Sequence, residues 1–357
     1  MRDGFVSVVV PTYNRAYCIC RTVDSVLAQT HHNWELLIVD DGSTDDTAAL
    51  IASRYGAEPR IRYLHQPNAG VSAARNTGIR ASKGDFVALL DSDDVWKPWK
   101  LEVQLACFRA FPEIGMVWTN YEAVDKAGVI VNPRYMTTMY EAYRFFQPFD
   151  KLFEHSFALS TVIDSADTLE PGARVYTGNI YTQMLRGNLV HTSTVMLSRD
   201  RIDKVKEFDE SLSLSGEDYD FHFRTCKWGP VCFVDLASTQ YQTDFDDRLT
   251  LHKKLIAENF LKTVEKAIAR ERGNGVFPQP MIHEVLAEAH SWYAEELLKI
   301  EDYAGVRKHA LLALRNQIGQ PRMFLLFGIA LLPRSASKAM LQTYRSGKAM
   351  VLGKKSS

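Results

Sequence analysis

Cysteine is sparse in this sequence: five residues, Cys18, Cys20, Cys107, Cys226 and Cys232, odd in number and scattered. No CxxC pair and no Cys/His ligand spacing occurs, so neither a disulfide framework nor a structural zinc site is indicated. That usage suits a reducing compartment. An excess of one charge is also lacking, with 42 basic against 43 acidic residues and a net charge of -1. No global field recruits nucleic acid. Long apolar runs are missing too. The stretch Met323–Leu332 holds ten uncharged apolar residues, against the roughly twenty that a membrane-spanning helix needs. Met1-Arg2-Asp3-Gly4 leads straight into a strand-like run, which leaves no room for a signal peptide. No internal repeat and no low-complexity tract appears. The expectation is a cytoplasmic protein.

What is present is an ordinary globular composition. The 357 residues, 46% apolar and 24% charged, suffice for two domains or one large domain with an extension. Four apolar runs, Phe5–Val10, Glu35–Val39, Ile61–Leu64 and Phe86–Leu90, predict strands. Helically spaced stretches at 14–30, 44–55 and 70–82 lie between them. Strands alternating with single helices predict right-handed βαβ units and a mostly parallel sheet. The runs are continuous rather than alternating, as when helices cover both faces. This is the pattern of a doubly wound α/β domain.

Further along, Trp99–Phe111 reads as a helix stopped by Pro112, and 114–121 with 129–132 as a hairpin. Residues 133–185 are aromatic-rich and irregular. A strand at 191–198, a helix at 217–227 and a last strand at 231–236 follow. Beyond Leu249 the pattern is helical: 250–270, 281–299, 302–316, and 321–347 broken by Pro333. The expected division is a domain over 1–245, with halves 1–110 and 111–245, and a helical extension over 246–357. From Tyr303 onward there are ten Lys or Arg and no carboxylate, which leaves 32 basic against 43 acidic residues before it. So uneven a chain is not one uniform body.

Ligands of parallel α/β sheets bind at the carboxyl ends of strands. Those ends carry Pro11-Thr12-Tyr13-Asn14, then Asp40-Asp41-Gly42-Ser43-Thr44-Asp45, then Asp91-Ser92-Asp93-Asp94. Asn14, Ser43 and Thr44 read as caps of the helices that follow, and Asp94 as a cap near Lys97. Capping does not account for the remaining carboxylates, whose repulsion is costly unless a cation shares them. The first strand–helix turn has no Gly-x-Gly-x-x-Gly, no Walker A sequence occurs, and no Gly-rich, Arg-containing loop follows the first strand. Dinucleotide, P-loop and sugar-nucleotide pyrophosphorylase sites are thereby disfavoured. A hard cation held by aspartates beside a nucleotide is what remains.

Four blocks in order, 8–14, 38–47, 68–76 and 84–94, resemble the inverting nucleotide-sugar glycosyltransferases of glycosyltransferase family 2. A weaker match continues through Arg186-Gly187-Asn188, Phe208-Asp209-Glu210 and Gly216-Glu217-Asp218. The resemblance implies a GT-A fold, a Rossmann-like mostly parallel sheet, followed here by the helical C-terminal region. It implies a donor, most readily a UDP-sugar, among Pro11, Thr12, Tyr13, Asp41, Asn68, Arg75, Asp91 and Ser92. Within that set Tyr13 would stack on the base, Asp41 would accept from the uracil N–H, and Arg75 would face the diphosphate. Asp93, from the Asp-x-Asp pattern, would ligate Mn2+ or Mg2+. Asp218 would be the base that takes the acceptor's proton, with Glu217 beside it, and Arg186, Asn188 and His191-Thr192-Ser193 would adjoin the sugar or acceptor.

Relatives often carry a Tyr-x-x-His histidine that completes the metal shell, whereas here the stretch reads Tyr241-Gln242-Thr243-Asp244. Asp244 is the substitute ligand to examine. The Gln-x-x-Arg-Trp pattern of processive synthases is absent, which points to non-processive transfer to a glycan, a cell-envelope polymer or a lipid-linked acceptor. The alternative is a non-catalytic nucleotide-sugar or glycan binder on the same scaffold. Two readings of the basic region 303–357 stand side by side. One is a helix lying peripherally on the cytoplasmic face of an anionic membrane. The other is a buried helix in a small bundle or homo-oligomer contact.

Overall fold

The computed structural model describes residues 4–212, 214–243, 252–338 and 340. The chain divides into two compact units, Met1–Leu249 and Thr250–Ser357. In the first unit, the strands are β1 Val6–Thr12, β2 Trp34–Asp40, β3 Ile61–His65, β4 Phe86–Leu89 and β5 Val95–Trp96. They are followed by β6 Met116–Val124, β7 Ile130–Asn132, β8 His155–Ala158, β9 Arg174–Gly178, β10 Met196–Ser198 and β11 Val231–Gln242. They form one sheet in the order β3-β2-β1-β4-β10-β6-β11-β9-β8, with β5 on β11 and β7 on β6. β1 pairs in parallel with β2 and β4, β2 with β3, and β6 with β11. Only short β10 separates β4 from β6, antiparallel to both. The mostly parallel sheet expected from the alternation is present.

Continuous apolar runs became buried strands: every residue of β1, β2 and β4 is buried. The helices Ile19–Leu27 and Thr47–Tyr55 pack Ile19, Val23, Val26, Ile51 and Tyr55 against one face of these strands. Helix Val71–Ala81 covers the other face, where Gly78 lies so close to the sheet that a β-carbon would meet Val9 at 2.3 Å. Pro11 sits inside β1 without harm, because pairing to β4 stops at Val9–Leu89 and no N–H is needed there.

Three expectations are corrected. The first helix begins at Ile19 rather than Asn14, whose backbone is left-handed at φ 52° and cannot start a helix. The strand expected over 191–198 is cut to Met196–Ser198, since Thr192–Thr194 forms a 3-10 turn in which the Thr194 hydroxyl donates to His191 O at 2.7 Å. Threonine competes with the ladder in this way. The last strand runs to Gln242 because β6 pairs with it well past Leu236.

The second unit is helical: Lys253–Arg270, Gln279–Lys299, Tyr303–Asn316 and Pro321–Leu331. Asp302 caps the third, accepting from Gly305 N at 2.9 Å. Its core joins Ala294, Leu297, Val306, Ala310, Met323, Leu326 and Ile329.

Candidate active site

The loops after β1 and β2 hold each other rather than capping helices. Asn14 Oδ1 accepts from Thr44 N at 2.8 Å, and Ser43 Oγ accepts from Asn14 N at 2.9 Å. Asp45, one residue before the N-cap position, braces the start of the next helix, accepting from Thr47 N and Oγ1 at 3.0 and 2.6 Å. Gly42, at φ 83°, is required here, since a β-carbon would lie 2.8 Å from Asn68 N. Asp41 is buried, and its carboxylate accepts from Gln66 Nε2, Ala69 N and Gly70 N at 2.7, 2.9 and 2.8 Å. Much of its acceptor capacity thus holds the 66–70 loop in place. Neighbouring Asp40 accepts from Ser43 N at 2.7 Å and from the Tyr63 hydroxyl. Tyr13 stands 46% exposed at the rim, and Asn68 is also exposed. Pro11 and Thr12 are buried beneath them.

The loop after β4 brings distant residues together. Arg75, 4% exposed, donates from Nη2 to Asp91 Oδ1 at 2.7 Å and from Nη1 to Glu217 Oε1 at 2.9 Å. Its guanidinium also lies 5.2 Å from the Phe208 ring. Burial opposes ionisation of Asp91, but the Arg75 charge holds its pKa below the usual range. Arg75 is therefore an internal clamp between β4 and the helix Glu217–Cys226. Glu217, expected beside the base, is spent as the other jaw of that clamp. Ser92 is buried, and its carbonyl accepts from Thr22 Oγ1 at 2.9 Å.

Asp93 and Asp94 part company. Asp93 is half-buried, with Arg15 Nη2 at 3.9 Å. Burial, then the charges of Asp94 and Asp91, push its pKa up to about 7. Asp94 does not cap a helix near Lys97, because the next helix starts at Lys100. It is buried against His191, whose Nε2 lies 3.3 Å from Asp94 Oδ2. His191 is stacked on Tyr121 at 4.3 Å, and its Nδ1 meets the Tyr140 hydroxyl at 3.2 Å. Against the effect of burial, Asp94 holds the His191 pKa above the ordinary value. Ser193 completes the brace, accepting from Asp91 N at 3.1 Å and, through its carbonyl, from Trp96 Nε1 at 2.7 Å.

Asp218 enters the same cluster from the first turn of its helix. Asn188 Nδ2 donates to its Oδ2 at 3.0 Å, and Tyr219 N to its Oδ1 at 2.7 Å. Burial, then the charge of Glu217, raises its pKa to about 6. Among the described residues no group of three His, Cys, Asp or Glu side chains is arranged to hold a metal. Asp244 lies outside the described residues. The crowding at Asp93 nevertheless fits a divalent cation, since magnesium-type ions take few protein carboxylates and fill the rest with phosphate and water.

Residues 7–163 match the model of Glycosyl transferase family 2. Over that segment the chain is similar to the family. Over 130 residues it is 42% identical to an uncharacterized glycosyltransferase of Rickettsia felis, covering 36% of this chain and 21% of that protein. Over 131 residues it is 37% identical to UDP-Glc:alpha-D-GlcNAc-diphosphoundecaprenol beta-1,3-glucosyltransferase WfgD of Escherichia coli, covering 36% and 51%. The matched part of the chain therefore spans about a fifth of the first relative's length and about half of the second's. The crystal structure of S. aureus TarS 1-349 in complex with UDP-GlcNAc superposes with a TM-score of 0.53 at 18% identity, covering 95% of this chain and 92% of that one. That likeness extends the GT-A fold expected from the motifs to the three-dimensional level.

Motif reading brought Tyr13, Asp41, Arg75, Asp91, Asp93 and Asp218 to one sheet edge and its flanking helix. It did not separate the clamp residues from those left facing outward. It also missed the Asp94–His191 pair, the aromatic setting of Tyr121 and Tyr140, and Arg15 beside Asp93. The signal for the pair was the run of four polar residues at 191–194, too polar for a central strand.

Proposed function

We propose that this chain is an inverting glycosyltransferase that moves a sugar from a UDP-sugar to a hydroxyl of a glycan or lipid-linked acceptor. One observation carries the reading. Asp218 and Asp93 are the two half-buried carboxyls with raised pKa values in the cluster, while Arg75 neutralises Asp91 and Glu217 between them. Environments that drive acidic groups to different protonation behaviour are the mark of assigned acid–base roles. The relatives support the donor class, since one is named as a UDP-Glc glucosyltransferase and TarS 1-349 was solved with UDP-GlcNAc.

In this reading Asp218 takes the acceptor's proton as the acceptor oxygen bonds to the anomeric carbon and the nucleoside diphosphate departs. A pKa near 6 leaves it ionised at neutral pH yet basic enough to act. Asn188 fixes the carboxylate's orientation. Asp93, aided by Asp91 across the loop, would hold Mn2+ or Mg2+, whose contribution when bound is to neutralise charge on the diphosphate. Tyr13 supplies an exposed aromatic face for the base. Glu217 is a positioning residue that acts through Arg75. The test is a transfer and donor-hydrolysis screen across UDP-, GDP- and dTDP-sugars with Mn2+. Turnover of a UDP-sugar that chelator abolishes supports the proposal. Nucleotide binding with no hydrolysis or transfer of any donor would favour a binding protein on this scaffold.

A further inference from the structure

The helical unit presents an apolar face that its own core does not use. Helix Pro321–Leu331 buries Met323, Leu326, Ile329 and Ala330 on one side. Its other side exposes Phe324 at 53%, Leu325 at 39% and Leu331 at 61%, continued by Leu332 at 41%. A helix that is apolar all round belongs in an enclosed or lipid environment, and an exposed apolar patch of this kind marks an interaction surface. Each reading of this segment thus claims one face: the bundle accounts for the inner side only.

The surroundings decide the occupant. Arg322 and Arg334 bracket the segment, and Lys338 follows it. Arg322 reaches Glu295 at 2.7 Å and Lys338 reaches Glu301 at 2.9 Å, both acids of the preceding segment. The exposed stripe of helix Tyr303–Asn316 reads Ala304, Lys308, Leu311, Arg315, again without a carboxylate. From Tyr303 to the end there are ten basic residues and no acidic one. A second copy docking isologously would set these basic segments against each other, which like charge disfavours. No helix among the described residues is long and apolar enough to cross a membrane. We propose that this face seats on an anionic lipid surface, with Phe324, Leu325, Leu331 and Leu332 entering the interface and the basic residues meeting the headgroups.

The test is co-sedimentation of the full chain with phosphatidylglycerol-containing vesicles and with phosphatidylcholine vesicles, at low and high salt. The chain is expected to pellet with the anionic vesicles at low salt only. The double variant Phe324→Glu with Leu331→Glu changes exposed positions and should weaken partitioning by about tenfold or more, because apolar area and charge attraction both contribute. Val131→Glu, an exposed apolar position in the first unit, should leave partitioning unchanged. Should the double variant lose helical signal by circular dichroism, Lys308→Glu with Arg315→Glu decides instead, with the same loss expected. Equal recovery with both vesicle types, or none with either, overturns the proposal. So does a dimer in sedimentation velocity that the face variants dissociate while vesicle binding is absent.

Discussion

A carboxylate that accepts a proton near neutrality needs a raised pKa and an approach open to substrate, and Asp218 has both, being half-buried with its pKa lifted to about 6 by burial and by Glu217. Asp218→Asn keeps the shape and the contact with Asn188 but removes the basic oxygen. Transfer should fall by about 10²–10⁴-fold, while UDP affinity by calorimetry stays at the parent level. A variant that transfers at the parent rate would return Asp218 to a helix-end role. The parent enzyme's kcat/KM should rise with pH through about 6 and level off above it, because the active form is the ionised carboxylate. Asp93 makes a separate prediction, because it is crowded by Asp94 and Asp91. With Ala in its place, nucleotide binding should no longer respond to Mn2+ or to chelator. Equal sensitivity to chelator in both proteins would remove Asp93 from the cation site.

Elements that carry these residues are joined by side chains whose motif neighbours are far away in sequence. Asn76, fully buried in helix Val71–Ala81, accepts from Phe208 N at 2.8 Å and donates to Phe208 O at 3.0 Å and Glu210 Oε1 at 2.9 Å. It fixes Phe208, whose ring lies beside Arg75, and so supports the clamp on Asp91 and Glu217. Asn76→Leu orphans a buried N–H and a buried carbonyl, at a cost on the order of 2–4 kcal/mol. A thermal melt should show a drop of several degrees, and donor KM should rise because Arg75 loses its backing. An unchanged melting temperature would make the bond pair energetically idle. What was legible in the sequence follows the same division. β1 to β4 and their helices came from local periodicity, since a buried parallel strand needs only a short continuous apolar run. The acidic loop ends were equally local. Asp94 with His191, 97 positions apart, and Arg75 with Glu217, 142 apart, depend on the whole topology, and only the polar run at 191–194 hinted at the first of them. The capping expected of Asn14 and Ser43 failed for the same reason: their partners sit on the neighbouring loop.

At the scale of the whole molecule, the two units should respond differently to acid. In the helical unit His290 and His309 are buried, with their Nδ1 atoms 3.1 Å apart. Burial, then the neighbouring imidazole, lowers the His290 pKa to about 4, and His309 is lowered as well, by burial and Lys308. Between pH 6.5 and 4 the unfolded segment binds protons that the native pair refuses, so stability is present above that window and is lost as pH falls through it. For His290 alone the loss at pH 5 is on the order of 2 kcal/mol. Glu265, its carboxyl partly desolvated and its pKa raised, acts in the opposite direction. In the first unit the contributions oppose one another. His222, lowered to about 3 by burial and Arg75, acts in the same direction as His290. Asp218 and His191, both raised, instead make the native state bind protons before the unfolded chain does, and they gain stability as pH falls. Acidification from neutral pH to 5 should therefore loosen the helical unit first. Hydrogen exchange on the full chain would register this as protection lost in 285–298 and 306–313 while 86–90 stays protected. Replacing His290 and His309 together by Leu and Gln should flatten that pH response, because neither residue titrates. If protection in both units falls in parallel and the double variant behaves like the parent, the histidine pair does not set the acid response.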